Sequence, residues 1–592
     1  MYKGLIYHLL LRIEKKLEII MKLNYLVEIM DPQTHMVKVK VTGPKPPEDK
    51  LCFFLPSWSP GSYLMREYAR NIRTVKVLNE VGKFLYFEQK EKGVWEIDFS
   101  HSEGAPTCDL FTIEYEIYCH ELTVRTCHVD ESHAFLHGPA YLIGLKDHEI
   151  IPTIEFRFTP LWSKIHSGLK DISTKREQFI YNAVDYDDLL DTPVEIGCHE
   201  SDGFMVDGKE HHLVWYGENF PHEQNLKQDI KTIVETVASH FSSIPYEDYT
   251  FITHLKKDIY GGLEHKNSTA LQFDGRRFNE REMYINWLAL VAHEYFHTWN
   301  VKRIRPIELG PFDYLNENYT SMHWLTEGLT SFMDELFVVR SKLCSLEEYL
   351  KMQTKNLQRY YANAGKKFHS LEQSSFNAWV KLYRPDENSN NSSISYYLKG
   401  GLVFSTLHFE LLKIGKNIND LLSLLWSRYL ENPAVGVTTD EVLSMIEQVG
   451  NKQIRNQFEL RISTTEDIDF ESYYKLMGME FEWEDTKAAT MHVDFRFVGD
   501  RVFIDKVHLD GAAYKAKLNA GDEILAVDRI RFLKADVENM KKIFLINKEY
   551  TVSVARLGEV LDTQLIMGQK EKMLKKININ DEAMVIKSFL EP

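Results

Sequence analysis

Cysteine is scarce in this chain. Cys52, Cys108, Cys119, Cys127, Cys198 and Cys344 are spread over 592 positions, and no two form a Cys-x-x-Cys pair. That excludes a disulfide framework, and a reducing compartment fits best. Long hydrophobic runs are missing too: no stretch reaches the roughly 18 uncharged apolar residues that a membrane span requires. The N-terminal Met1-Tyr-Lys-Gly-Leu-Ile-Tyr-His-Leu-Leu-Leu11 is followed at once by Arg12-Ile-Glu-Lys-Lys16, with no small-residue cleavage site, which argues against a signal peptide. Together with the sparse cysteines this sets a cytoplasmic expectation. Basic clusters are absent as well. Against 70 Lys and Arg stand 87 Asp and Glu, a formal net charge of −17, and no Arg/Lys-rich stripe offers itself to a polyanion. Nucleic acid is therefore not the expected partner. The acidic excess serves solubility, and its sign would also steer cationic peptide amines.

What is present is apolar and aromatic: 44% hydrophobic and 12% aromatic residues can build several cores, and the length suggests three or four domains. The first 20 residues read as a helical extension or an upstream start, with the folded protein expected to begin near Met21. From Lys22 to about Ile196 the signal is period two, as in Asn24-Tyr-Leu-Val-Glu-Ile-Met30 and His35-Met-Val-Lys-Val-Lys-Val41. Many short strands without long helical patterns predict an antiparallel β-sandwich over 21–197. Near residue 222 the period changes. His222 to His240 is amphipathic at helical spacing, Tyr249 to Leu255 reads as a strand, and helices dominate to about residue 465.

Within that half, the run Trp287-Leu-Ala-Leu-Val-Ala-His-Glu-Tyr-Phe-His-Thr-Trp299 contains His293-Glu294-Tyr295-Phe296-His297. Two histidines four apart on a helix project from one face and can chelate one Zn²⁺. Glu294 would lie beside the metal, able to take a proton from water and pass it to a leaving amine. The five residues alone also suit a core helix with two satisfied histidines, so the rest of the site decides.

A zinc hydrolase needs a third protein ligand and an open position. Trp324-Leu-Thr-Glu327-Gly328 begins a second helical pattern thirty residues past His297, and Glu327 is the candidate. Two neutral imidazoles and one carboxylate leave the metal a net positive charge, enough to bring bound water toward a pKa near 7. Read alone, Glu327 is also a favourable charge at a helix N-terminus. Asp334 and Glu335, about two turns on, are candidate partners for a ligand histidine or solvated helix charges. Other histidines carry no such pattern. The Cys-His dipeptides (Cys119-His120, Cys127-His128, Cys198-His199) would point to opposite faces of a strand. His128, His133 and His137 have no helical register and are expected to be structural.

The pairing of His-Glu-x-x-His-x-Trp with Trp-Leu-Thr-Glu-Gly resembles the gluzincin metallopeptidases of the aminopeptidase N type. Pro56-Ser-Trp-Ser-Pro-Gly-Ser-Tyr-Leu-Met-Arg-Glu-Tyr-Ala-Arg-Asn71, Tyr186-Asp-Asp-Leu-Leu-Asp-Thr-Pro-Val-Glu-Ile-Gly197 and Tyr260-Gly-Gly-Leu-Glu-His265 narrow the resemblance to the glycyl aminopeptidase family, whose members carry a C-terminal PDZ domain. It covers about Met21 to residue 570. It implies a multidomain α+β chain: the sandwich, a thermolysin-like, mainly helical zinc domain over 198–475, a PDZ domain over 476–570 and a tail over 571–592.

The resemblance also implies roles. Gly261-Gly262-Leu263-Glu264 is similar to the relatives' strand that runs antiparallel to the substrate. Glu264 would pair with the free α-amine, and Gly261 and Gly262 would let the backbone come close. Read without the zinc helix, the same residues form a β-turn with a solvated glutamate. Ser395-Tyr396-Tyr397-Leu398-Lys399-Gly400 resembles the Tyr-x-Lys-Gly motif whose tyrosine donates to the oxyanion. By that register the donor is Tyr397, with Tyr396 if the register slips; both also suit packing roles. In the last region, Ala520-Gly-Asp-Glu-Ile-Leu525 is the most specific PDZ-like segment. Met477-Gly478-Met479-Glu480-Phe481 is its candidate carboxylate loop, with Glu480 where a small residue is usual. Such a domain would bind a peptide ligand at a sheet edge or only buttress the catalytic unit.

The expectation is thus an aminopeptidase with one Zn²⁺ per chain, held by His293, His297 and Glu327. Glu294 is the base, Tyr397 the oxyanion donor, and Glu264, Gly261 and Gly262 the substrate contacts. Its substrates are peptides or polypeptide N-termini, with small first residues such as Gly or Ala implied by the family. The rivals are a PDZ-assisted endopeptidase and a non-catalytic peptide-binding scaffold.

Overall fold

The computed structural model describes residues 20–101, 108–175, 177–217, 225–484 and 487–590. The expected N-terminal extension lies, but for Ile20, outside the described residues, as do positions 222–224 of the expected 222–240 helix, which runs from Leu226 to Ala238. Two compact units are distinguished. The first takes in the described residues of Met1–Glu235, Ile244–Thr298 and Phe312–Asn318, and the second those of Thr236–Ser243, Trp299–Pro311 and Tyr319–Pro592.

The first unit begins with the strand Ile20–Ile29, whose Met21, Leu23, Tyr25, Val27 and Ile29 are all buried on one face. It lies inside a seven-stranded sheet ordered Lys170–Asp171, Ile180–Asn182, Glu149–Phe158, Ile20–Ile29, Met36–Pro44, Leu110–Tyr118, Ile72–Asn79. A four-stranded sheet containing Lys50–Phe54 and Val94–Asp98 shares one apolar core with it, making the expected β-sandwich. The expectation of a purely antiparallel sandwich needs correction, because Ile20–Ile29 pairs in parallel with Glu149–Phe158 along its whole length. Alternation reports which face a residue takes and nothing about strand direction, and the long intervening chain permits the crossover that a parallel pair needs.

A further, five-stranded sheet follows in the order Glu200–Val206, Lys209–Gly217, Asp248–Leu255, Ser268–Phe273, Tyr260–Glu264. Asp248–Leu255 and Ser268–Phe273, paired in parallel, are buried on both faces, and Tyr260–Glu264 is an edge strand, antiparallel to Ser268–Phe273. The helix Arg281–Phe296 packs on this sheet through Trp287, whose ring centroid is 5.3 Å from that of Phe273.

The second unit is mainly helical up to Ser463. Ser345 with Glu348 and Thr438 with Glu441 form capping boxes that start the helices Leu346–Ala362 and Thr439–Val449. The helix Tyr396–Leu412 is buried on nearly every side, which marks it as the centre of the bundle. Further on, the strands Val493–Val498, Arg501–Val507, Glu523–Val527, Glu549–Arg556 and Glu559–Ile566 form an antiparallel sheet with its own core. The Ala520–Leu525 motif is explained there: Asp522, 1% exposed, accepts two hydrogen bonds from the Arg556 guanidinium, each 2.7 Å.

Two further expectations are corrected in this region. Of the expected carboxylate loop Met477–Phe481, the residues from Met479 onward begin a strand, Met479–Glu484, paired with Met573–Ile579. The expected tail from 571 instead supplies that partner strand and the helix Glu582–Phe589, whose Phe589 packs on Tyr349 and Phe409. Lys575 and Lys576 are the exposed members of a strand that buries Leu574 and Ile577, and a register shift opposite Glu482 and Trp483 breaks its alternation. No helix among the described residues is long and apolar enough to cross a membrane.

Candidate active site and metal centre

In the first unit, His293 and Glu294 occupy the last turn of the helix Arg281–Phe296 and His297 caps it. The two imidazoles stand one turn apart, centroids 4.7 Å and planes at 86°. His297 and Glu294 are buried and His293 half-buried. Tyr295 turns to the other side, its hydroxyl 2.6 Å from that of Tyr246, which lies 2.8 Å from His211 Nε2.

The edge strand Tyr260–Glu264 presses against this helix. A Cβ added at Gly262 would stand 2.6 Å from Glu294 Cγ and closer still to its carboxylate, so only glycine lets the strand come this near. Arg125 Nη2 donates to the Gly262 carbonyl at 3.2 Å and Thr269 Oγ1 to that of Leu263 at 3.0 Å. One carboxylate oxygen each of Glu264 and Glu294 and a ring nitrogen of His297 lie within 4.8 Å of one another. Behind Glu264, a Cβ at Gly61 (φ +82°) would stand 2.5 Å from its Oε1. Asp191 fixes the turn that follows: Oδ1 accepts from His265 Nδ1 at 3.1 Å and Oδ2 from Lys266 N at 2.9 Å. Gly61, Arg125 and Asp191 were not singled out from the sequence. Gly61 and Asp191 fall inside two of the motifs that carried the family resemblance, and Arg125 had no signal.

In the second unit, Glu327 sits on a widened π-turn, Trp324–Gly328. Asn300 Nδ2 donates into this turn, to Leu325 O at 2.9 Å and Thr326 O at 3.1 Å, and Thr330 Oγ1 also donates to Thr326 O at 2.6 Å. Burial pushes the His323 imidazole down to about 4, against the pull of Glu327. The helix Tyr396–Leu412 lies directly on this turn, because a Cβ at Gly328 would be 2.8 Å from Gly400 Cα, and one at Gly400 2.7 Å from Gly328 Cα. Tyr396 is fully buried, its ring 5.0 Å from His323. Burial, then the charge of Glu327, holds the Tyr397 hydroxyl well above the usual tyrosine range, so it remains a proton donor. Glu335, considered from the sequence as a partner for a ligand histidine, instead accepts from Gln353 Nε2 at 2.6 Å and Asn356 Nδ2 at 3.1 Å.

His293 and His297 belong to the first unit and Glu327 to the second. Two imidazoles and one carboxylate match the donor set of a three-ligand zinc site that keeps a position open.

Two family models match the chain: the Peptidase M61 N-terminal domain over residues 24–198 and the M61 glycyl aminopeptidase over 286–403. The second span contains His293, Glu294, His297, Glu327 and Tyr397. The chain is similar to the M61 peptidases. No curated protein matches it. Among solved structures, an aminopeptidase N family protein from Idiomarina loihiensis is 25% identical and superposes with a TM-score of 0.88, covering 96% of this chain and 100% of that one. An M1 zinc metallopeptidase from Deinococcus radiodurans is 12% identical, covers 76% of this chain and 95% of that one, and has a TM-score of 0.49. The M61 matches and the Idiomarina fold support a metallo-aminopeptidase.

Proposed function

We propose that this chain is a zinc-dependent aminopeptidase that removes N-terminal residues from peptides. The observation that carries the reading is the convergence of Glu264, Glu294 and His297 at the buried end of a glycine-bearing edge strand. A carboxylate there accepts hydrogen bonds from an ammonium group, placing the first peptide bond beside the base. His293, His297 and Glu327 would hold one catalytic zinc, and a bound zinc would polarise the scissile carbonyl and acidify water. Glu294 takes a proton from the attacking water and returns it to the leaving amine. Tyr397, kept protonated, donates to the developing oxyanion. Gly261 and Gly262 present backbone to a peptide added antiparallel to Tyr260–Glu264. A preference for small first residues such as glycine or alanine is proposed from the glycyl aminopeptidase match. The antiparallel sheet of 493–566 is proposed as a PDZ domain whose ligand would be a peptide.

The test compares one peptide with free and acetylated N-termini, alongside zinc analysis of wild type and Glu294→Gln. The free peptide should be cut at least about 100-fold faster, a preference worth about 2.7 kcal/mol. The variant should keep its zinc and lose about 10²–10⁴-fold in kcat. Equal cleavage of the acetylated peptide would sink the exopeptidase claim, and full activity of Glu294→Gln would sink the mechanism.

A further inference from the structure

The hairpin of His128–Val129 and His133–Leu136 gathers a second set of ligating side chains in the first unit. A ring nitrogen of His128, a carboxylate oxygen of Asp130 and a ring nitrogen of His133 lie within 4.8 Å of one another. These histidines have no helical register. A tight turn replaces it, in which Asp130 Oδ1 accepts from the backbone N–H of Ser132 at 2.8 Å and of His133 at 3.1 Å. Cys127 takes no part; its sulfur bonds the His137 backbone.

Hydrogen bookkeeping sharpens the cluster. His128 Nδ1 is 2.7 Å from the His120 carbonyl oxygen, which can only accept, so Nδ1 carries the hydrogen. The neutral ring then turns its Nε2 lone pair on Asp130 Oδ2, 3.2 Å away. His133 Nδ1 is 2.7 Å from Glu195 Oε1, while Glu195 Oε2 takes His254 Nε2 at 3.0 Å; all three side chains are completely buried. A carboxylate accepts both bonds, which leaves His133 Nε2 as a bare lone pair, buried and without a hydrogen-bond partner among the described residues. His128 Nε2 and Asp130 Oδ2 are thus two acceptors facing each other, and His133, one ring nitrogen of which lies within 4.8 Å of a His128 nitrogen and an Asp130 oxygen, carries a third. A proton on His128 would satisfy Asp130 and still leave His133 Nε2 unanswered. A bound cation answers all three.

We propose that His128, Asp130 and His133 form a second metal site, taking a divalent transition ion such as Zn²⁺. Imidazole nitrogens with a single carboxylate select that class over Ca²⁺ or Mg²⁺. The 3.2 Å between His128 Nε2 and Asp130 Oδ2 is close to the ~3.4 Å edge of a tetrahedron with ligands at ~2.1 Å. Glu195 supplies the carboxylate that orients a ligand histidine from behind, and Tyr216 stacks on the His133 ring at 3.5 Å. His128 and Asp130 are 12% and 27% exposed, which leaves room for water as a fourth ligand. The same segment carries Arg125, bonded to Gly262 O, and Val124 and Phe135, packed with Ile252, Leu263 and Ala270. An ion there would brace the hairpin behind the substrate-binding edge strand.

The test counts metal in the full chain after chelator stripping, zinc reloading and desalting, with far-UV circular dichroism as the folding control. Asp130→Asn keeps an Oδ1 for the turn while removing the charged ligand, and His128→Gln changes a rim residue. Wild type should hold two equivalents, each of these variants one, and His297→Ala also one. Cobalt-loaded His297→Ala should show d–d absorption that His128→Gln abolishes. A wild-type count of one that His128→Gln leaves unchanged overturns the proposal, as does a count of two that neither hairpin variant lowers. A count of one lost in His128→Gln and kept in His297→Ala supports this site and refutes the catalytic one.

Discussion

Gly262→Ala displaces the candidate base while leaving every candidate zinc ligand in place. Gly262 is outside the left-handed region, so alanine strains the backbone little. Its Cβ would stand 2.6 Å from Glu294 Cγ and nearer to Cδ and Oε1, whereas carbons rest at about 3.5–4.0 Å. Glu294 must therefore move by about 1 Å or more. The end of a glutamate can swing aside, so the stability cost is about 1 kcal/mol. The catalytic cost is larger, because a misplacement of about 1 Å lowers rate about 100-fold, or roughly 2.7 kcal/mol. The assay is kcat and KM on an alanyl anilide, with zinc content and Tm measured on the same preparations. We expect kcat to fall about 100-fold, with zinc unchanged and Tm down by a few degrees. A kcat within about threefold of wild type at full zinc would refute the argument, and zinc lost along with activity would reassign the strand to supporting the ligands.

Gly400→Ala tests the turn that carries Glu327. Its Cβ would meet Gly328 Cα at 2.7 Å, and since backbone cannot swing aside the cost is about 1–3 kcal/mol. Thermal melts should drop by several degrees and zinc affinity should fall with them, because the Glu327 turn is displaced. Unchanged zinc affinity would refute the coupling. Glu335→Gln addresses pH. Burial, then Asp334, raises the Glu335 carboxyl to about 8 from an ordinary value near 4.5. A raised folded-state pKa favours the folded form below about 4.5, and that contribution is lost as pH climbs toward 8. Glutamine should flatten the decline in Tm between pH 5 and 8 and raise Tm at pH 8, and a parallel decline in both proteins would refute the assignment.

The sequence made some parts of this chain legible for physical reasons. His293, Glu294 and His297 were readable because helical spacing places i and i+4 on one face, and the sandwich because buried faces impose period two. Strand direction was invisible, since the same alternation serves the parallel Ile20–Ile29 and Glu149–Phe158 pair. Gly328 and Gly400 were individually visible, but their mutual approach depends on tertiary packing. The His128 cluster escaped because its register is set by a turn and by Glu195, sixty-two residues from His133 in sequence. Residues 571–592 read only as a charged tail because the strand there pairs with residues nearly a hundred positions earlier, a partner that local charge composition does not reveal.

The edge strand itself bears on exopeptidase against endopeptidase chemistry. Along Tyr260–Glu264 the exposure falls from 59% at Tyr260, through half-buried Gly261 and Gly262, to 5% at Glu264. A peptide added antiparallel would enter with its N-terminus toward Glu264 and leave past Tyr260. At the Glu264 end, Gly61 stands so close that even a methyl group would overlap the carboxylate, and Asp191 pins the following turn. A chain continuing N-terminally would have to displace that wall and strand a buried carboxylate without its ammonium, at a cost of several kcal/mol. On the proposed aminopeptidase reading, an edge strand exposed at one end and closed by a carboxylate at the other would select substrates that begin at that carboxylate.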